Sequence, residues 1–234
     1  MQDTLLHKLI KNNVMSTPVA AYLKLLLDTN HSGIIVGPTK SGKTTILDCT
    51  IDLIQKPCRI GVIEDVPELR TNKKNRNIIL DKKIRDTPFS TTWIPQAMRN
   101  RPDMILFGEL QLKQDEMNHI TSAISADNLI VSTMHAASVK SAVNRLESVD
   151  FAKYWKWIIF TRKSNNDLGF EMESISEIIP DNDNVRVIST YSSDENQTLQ
   201  TILKQTYHLI KSPKIANMIQ LEEKLNESHK ILFT

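Results

Sequence analysis

Residues 33–45 read Gly33-Ile34-Ile35-Val36-Gly37-Pro38-Thr39-Lys40-Ser41-Gly42-Lys43-Thr44-Thr45. A short apolar run opened and closed by glycine is the pattern of a buried strand, and the eight residues from Gly37 to Thr44 satisfy G-x-x-x-x-G-K-[ST]. The residue types follow from what a phosphate chain needs. Glycines let successive backbone N–H groups wrap an oxyanion, and a helix beginning near Lys43 adds the favourable partial charge of its N-terminus. The Lys43 ammonium can bridge the β- and γ-phosphates, and the Thr44 hydroxyl can take a position on Mg²⁺. A chance match on a lysine-bearing loop is the competing reading, and the strand–loop–helix context speaks against it. The expected nucleotide site is therefore Gly37, Pro38, Thr39, Lys40, Ser41, Gly42, Lys43, Thr44 and Thr45, with ATP and Mg²⁺ as cofactors.

Outward from this stretch, strand and helix patterns alternate. Residues 17–29 predict a helix with Thr17 as N-cap and Pro18 at its first position. Residues 59–64, 104–107 and 129–133 predict strands, and residues 92–100 and 114–125 predict helices. Residues 65–90 are polar and basic and read as the least globular part of the chain. Strands separated by helices imply βαβ units and a mostly parallel sheet flanked by helices, an α/β fold. Beyond residue 150 the texture changes. Residues 155–162 (WKWIIFTR) and 170–179 (FEMESISEII) flank the turn-rich SNNDLG and predict a β-hairpin with one wet face. Residues 185–189 predict one more strand, and residues 195–228 two helices broken at Ser212-Pro213.

Composition sets outer limits. The chain has 234 residues, 40% of them apolar, with a net charge of only +2. That is enough apolar content for a real core, and no global basic field advertises nucleic acid. Cys49 and Cys58 lack metal-site spacing and read as reduced core residues. The N-terminal stretch MQDTLLHKLIKNN has no signal-peptide apolar run, and no segment reads as a membrane span. The expected location is the cytoplasm, with any membrane contact made through partners.

Three side chains outside the loop are candidates for chemistry. Glu64 closes the second strand in IEDVPEL, where an acid beside a phosphate site can orient water or reach Mg²⁺ through water. A solvated acidic turn is the alternative. Glu109 follows the apolar run MILF after one glycine, as a catalytic or Mg²⁺-facing carboxylate would. His135 ends the fourth strand after Ser132-Thr133-Met134. A lone histidine is ordinarily structural, but this one stands where it can sense a γ-phosphate.

In order and spacing, VGPTKSGKTT, IEDVPEL, MRNRPDMILFGEL and STMHAASVKSAVNRLE resemble the secretion-traffic ATPases of type II and type IV secretion, conjugation and type IV pili. In that family these blocks are the Walker A, Asp box, atypical Walker B and His box. The resemblance covers about residues 17–180. It implies a RecA-like motor domain over residues 31–180, a short helical lead-in over 1–30, and a strand and helical extension over 181–234. It further implies a homohexamer with ATP at subunit interfaces, working with membrane-embedded secretion or pilus machinery at the inner face of a membrane. By carry-over, Lys43 and Thr44 hold phosphate and Mg²⁺, with Glu109 reaching the metal through water. Glu64 orients water or acts as general base, Glu109 is the Walker B glutamate, and His135 the His-box residue. Arg99 and Arg101 match family arginines before the Walker B strand, with interface or phosphate contacts as their expected use.

The sequence also departs from the family pattern. Lys40 stands where glycine is usual, Gln111 where an arginine is usual, and Asp127-Asn128 where Gly-His is usual. Some thirty residues precede the first strand in place of the family's N-terminal domain, so that domain is expected to be absent, supplied by another chain or replaced by the extension. Two other functions stay open. One is a viral or plasmid nucleic-acid translocase, for which the basic residues Lys73, Lys74, Arg76, Lys82, Lys83 and Arg85 give weak support without a neighbouring aromatic. The other is a nucleotide-gated structural subunit that scarcely hydrolyses, which intact Glu64 and Glu109 argue against.

Overall fold

The run Gly33–Gly37 forms β1 and is buried along its whole length. Its neighbours explain why. It lies between β5 (Leu129–His135) and β6 (Trp157–Lys163), both parallel to it. A parallel strand covered on both faces must be apolar throughout rather than alternating, and Ile34, Ile35 and Val36 supply that. The computed structural model describes residues 4–54, 57–64, 68–69, 78–84 (backbone only), 93–181, 184–194 and 201–202.

The remaining strands are β2 (Cys58–Glu64), β3 (Ile78–Ile84), β4 (Met104–Glu109), β7 (Phe170–Asp181) and β8 (Asn184–Ser192). All eight join one sheet in the order β3-β2-β4-β5-β1-β6-β7-β8. β7 and β8 are antiparallel to their neighbours, and the other strands are parallel. The C-terminal ends of β1, β2, β4 and β5 therefore gather on one edge of the sheet, which is where open parallel sheets bind ligands.

Helices cover both faces. α1 (Leu5–Lys11), α2 (Thr17–Asp28) and α3 (Lys43–Asp52) share a core with Ile35, Val131 and Ile159. α4 (Trp93–Arg99), α5 (Gln114–Ser125) and α6 (Val139–Glu147) share the opposite core with Ile34, Val36, Ile130 and Ile158. Odd and even positions of one strand thus serve opposite layers, as the two-residue period requires. α2 is buried from Val19 to Leu27, and its charged Lys24 is paired one turn on with Asp28 at 2.6 Å. α6 opens on a capping box between Ser138 and Ser141, which satisfies backbone donors the helix cannot. Its apolar side, Ala142, Val143 and Leu146, then turns inward.

Several sequence expectations change. The N-cap of α2 is Ser16, not Thr17; Thr17 is already helical, and Ser16 caps without a side-chain hydrogen bond. Part of the supposedly least globular stretch, Ile78–Ile84, is a strand paired along its length with β2. β4 runs on through Gly108 to Glu109, and β5 through to His135. β6 and β7 form the expected antiparallel hairpin, but its first strand has no wet face. β6 is a strand of the main sheet, buried on both faces from Trp157 to Thr161. The two helices expected over residues 195–228 lie outside the described residues, apart from 201–202. Both cysteines are free and buried, as expected. Among the described residues, no helix is long and apolar enough to cross a membrane.

Candidate functional site

The phosphate loop is shaped by side chains it excludes. Gly42 adopts φ +83, and a Cβ there would stand 2.0 Å from the Phe170 ring at the start of β7. A Cβ on Gly37 would stand 2.4 Å from the backbone oxygen of Thr161 on β6. Only glycine fits either place without something moving. Between them, the fully buried Ser41 donates through Oγ to the Pro38 carbonyl at 2.8 Å and shares a 2.8 Å hydrogen bond with the Thr161 hydroxyl. The one hydroxyl proton of Thr161 is then shared between the Ser41 oxygen and the Val36 carbonyl, 3.3 Å away. A hydroxyl in the buried run of β6 thus props the loop from behind.

Lys43 opens α3 and is 8% exposed. Its Nζ donates to the Pro38 carbonyl at 2.7 Å and lies 3.2 Å from Nδ1 of His135. An ammonium can only donate, so Nδ1 accepts and a neutral ring carries its proton on Nε2. That nitrogen faces Glu109 Oε1 at 3.4 Å. Burial lowers the Lys43 pKa from its ordinary value, with Glu109 and Glu68 pulling it back up. The row Lys43, His135, Glu109 joins the loop to the ends of β5 and β4. A register shift between Phe107 and Glu109 sets Glu109 opposite Thr133. The Thr133 hydroxyl donates to the Gly108 carbonyl in a short hydrogen bond. From α6, Arg145 holds the carbonyl of His135 at 2.5 Å.

Glu64, at the end of β2, is 3% exposed. Its Oε1 accepts from the backbone N–H groups of Glu68 at 2.9 Å and Leu69 at 2.7 Å. This places Glu68, whose Oε2 accepts from the Thr44 hydroxyl at 3.0 Å. Thr39 to Thr45, Glu64, Glu68, Gly108, Glu109, Thr133 and His135 together line a cleft of about 540 Å³. All the catalytic candidates and the loop from Thr39 onward thus meet in one place. Gly37 and Pro38 form the loop's base.

Arg99 and Arg101 are exposed and precede β4, so they stand at the sheet edge opposite the cleft, and neither is among the described residues that line it. Arg59 ties that turn down, donating to the Asn100 carbonyl at 2.5 Å. The sequence reading missed Glu68, Thr161, Phe170 and Arg145 as parts of the site. A hydroxyl inside the apolar run of β6 was the one signal for Thr161; Glu68 and Arg145 lie within the blocks IEDVPEL and STMHAASVKSAVNRLE without having been singled out, and Phe170 carries no signal without the fold.

An open, mostly parallel sheet with a glycine-bearing phosphate loop after β1, and acids closing β2 and β4, defines a RecA-like P-loop protein. The chain belongs to the Type II/IV secretion system protein family, whose model matches residues 3–211. It is 30% identical over 146 residues to an uncharacterized protein of Methanocaldococcus jannaschii, covering 60% of this chain and 53% of that one. It is 25% identical over 204 residues to the twitching motility protein of Neisseria gonorrhoeae, covering 86% and 49%. Two solved structures share the fold. The VirB11 ATPase of the Brucella suis type IV secretion system, in complex with sulphate, has a TM-score of 0.56 at 21% identity, over 67% of this chain and 51% of that one. The pilus retraction motor PilT with bound ADP has 0.53 at 19%, over 94% and 66%. The chain spans about half the length, or less, of the curated relatives it matches.

Proposed function

We propose that this chain hydrolyses ATP in the cleft beside Lys43 and drives protein or DNA transport, or pilus dynamics, within a larger machine. The observation that carries the proposal is the row Lys43, His135, Glu109, at 3.2 Å and 3.4 Å. It puts a phosphate-binding cation, a polar ring and a half-exposed carboxylate along one wall of a cleft floored by a phosphate loop. Family membership and the shared fold support the same reading.

In the proposed chemistry, loop N–H groups and Lys43 hold the phosphates, and Glu109 orients a water in line with the γ-phosphorus. Water oxygen forms the new P–O bond as the bond to the β–γ bridging oxygen breaks, and the water proton passes to a carboxylate. Glu64 is a second candidate for that carboxylate, although its Oε1 is committed to the backbone at 68–69. His135 reports the γ-phosphate through its contact with Lys43. Among the described residues no cluster of acids, histidines and cysteines could cage a metal by itself. Mg²⁺ keeps most of its water and takes few protein ligands. The Thr44 hydroxyl, backed by Glu68, and Glu109 through water fit as its holders. Mg²⁺ would neutralise charge developing on the phosphates.

The proposed working unit is residues 31–180, with 1–30 as lead-in and 181–234 as extension; β8 begins that extension as part of the sheet. A homohexamer docked on membrane-embedded secretion or pilus proteins at the cytoplasmic face is the proposed setting. Phosphate release from Mg-ATP tests the reading directly. Wild type should turn over and Lys43→Ala should not, because loop amides alone cannot offset the developing charge. Equal release by both would remove the proposal.

A further inference from the structure

Lys40 lies within the phosphate loop at φ +60. This is the left-handed region, which glycine enters freely and a residue with a Cβ enters against steric resistance. Among the described non-glycine residues with positive φ, Asn13, Asn30, Asp127 and Asp150 are of the types that tolerate it; Lys40, Arg101 and Leu112 are not, and of these three Lys40 alone lines the cleft. Strain of this kind persists where something else is gained.

The charges of the cleft supply the gain. Its described lining carries Lys40 and Lys43 against Glu64, Glu68 and Glu109, two positive charges against three negative. Without Lys40 the balance would be one against three, in a site meant for a polyanion. Lys43 is turned inward onto the Pro38 carbonyl and His135. Lys40 is exposed, lines the cleft, and has no ion-pair or hydrogen-bond partner among the described residues.

We infer that Lys40 is a second phosphate-binding ammonium, held in a strained conformation because a cation there offsets the three carboxylates of the cleft. The inference rests on the proposed nucleotide site and adds to it a residue whose charge, not its backbone, is what binds.

The test measures the affinity of the full chain for a Mg²⁺-bound non-hydrolysable ATP analogue, and for adenosine, at low and high salt. Lys40→Gln keeps the Cβ and the strain but removes the charge. It should weaken the analogue roughly five- to tenfold at low salt, with the gap closing at high salt because the lost term is a screened charge interaction. Adenosine affinity should be unchanged, and Lys40→Arg should bind the analogue nearly as wild type does. Lys40→Gly should weaken the analogue while raising Tm by about 2–4 °C, since relief of strain and loss of charge act on different readouts. Wild-type affinity in Lys40→Gln at low salt overturns the inference while leaving the nucleotide site intact. A wild-type protein that fails to bind the analogue overturns the site reading and this inference with it.

Discussion

Nδ1 of His135 accepts from the ammonium of Lys43 across 3.2 Å, so the last residue of β5 and the first residue of α3 share a hydrogen bond. An arriving γ-phosphate competes with His135 for the same ammonium. In the proposed mechanism the loss of that contact passes through the ring to Glu109, which faces Nε2 at 3.4 Å. His135→Ala should therefore leave the affinity for ATP within about threefold of wild type and lower kcat by roughly tenfold or more. The side chain is 45% exposed, so the stability cost should stay below about 0.5 kcal/mol. Single-turnover hydrolysis and thermal melting on one preparation check both. Full activity with lost stability would refute the sensor role.

Lys43 yields opposite signs from one titration. Burial lowers its folded pKa, so the folded protein gives up this proton at a lower pH than the unfolded chain does. Between the folded value and 10.5, the unfolded chain binds more protons, and the stability contributed by Lys43 rises with pH. Phosphate affinity falls over the same window as the charge is lost. Melting of wild type minus Lys43→Met across alkaline pH, beside nucleotide titrations of wild type, should show the two trends diverging. A stability difference that stays flat across this range would mean that Lys43 keeps an ordinary pKa, and one that falls with pH would mean a raised one.

The two acids should separate by burial. Glu109, 47% exposed, accepts from no backbone N–H among the described residues, so Glu109→Gln should keep binding and stability while hydrolysis falls roughly 10²-fold or more. Glu64→Ala should cost about 1–3 kcal/mol because the N–H groups of Glu68 and Leu69 lose their acceptor. Glu64→Gln retains an acceptor oxygen and isolates the chemistry. Turnover near wild type in that variant would leave Glu64 as a loop anchor and Glu109 as the sole catalytic acid.

The packing of Gly42 against Phe170 should appear as coupling. Gly42→Ala meets both a positive φ and the ring, and should destabilise by roughly 2–4 kcal/mol. With Phe170→Ala added, the clash vanishes while the backbone strain remains. The double variant should then be more stable than the sum of the singles predicts by about 1 kcal/mol or more. Strict additivity, from chemical denaturation of all four proteins, would disprove the contact.

Assembly is the remaining prediction. Light scattering should find a ring, six subunits being expected, favoured by a Mg²⁺-bound ATP analogue, since nucleotide at an interface stabilises the assembled state by mass action. A monomer at high concentration with saturating nucleotide counts against the ring.

The site was legible where the chemistry is local. Gly37 to Thr44 declare themselves by type and spacing, and β1 by its unbroken apolar run. Glu109 and His135 could be named because each ends a strand, but the row they form with Lys43 depends on the register shift that sets Glu109 opposite Thr133. No sequence period encodes that shift. β3 escaped because the apolar residues of IILDKKI sit inside a stretch rich in Lys, Arg and Asn whose charge dominated the reading, and an edge strand with β2 as its partner among the described residues places weaker demands on composition than a central one. Thr161 and Phe170 escaped for another reason. They act on the loop only because β6 lies beside β1, a neighbour relation fixed by the whole sheet.

That relation bears on the order in which the protein comes into being. Ser41 and Thr161, hydrogen-bonded to each other, are 120 residues apart in the chain, and Phe170 emerges later still. While the ribosome is still translating residues between them, β1 has no partner on its β6 side, and the loop lacks both its hydroxyl prop and its aromatic wall. The phosphate motif is thus synthesised well before the residues that shape it, so on a nascent chain the loop waits for the β6–β7 hairpin before it can take its final form.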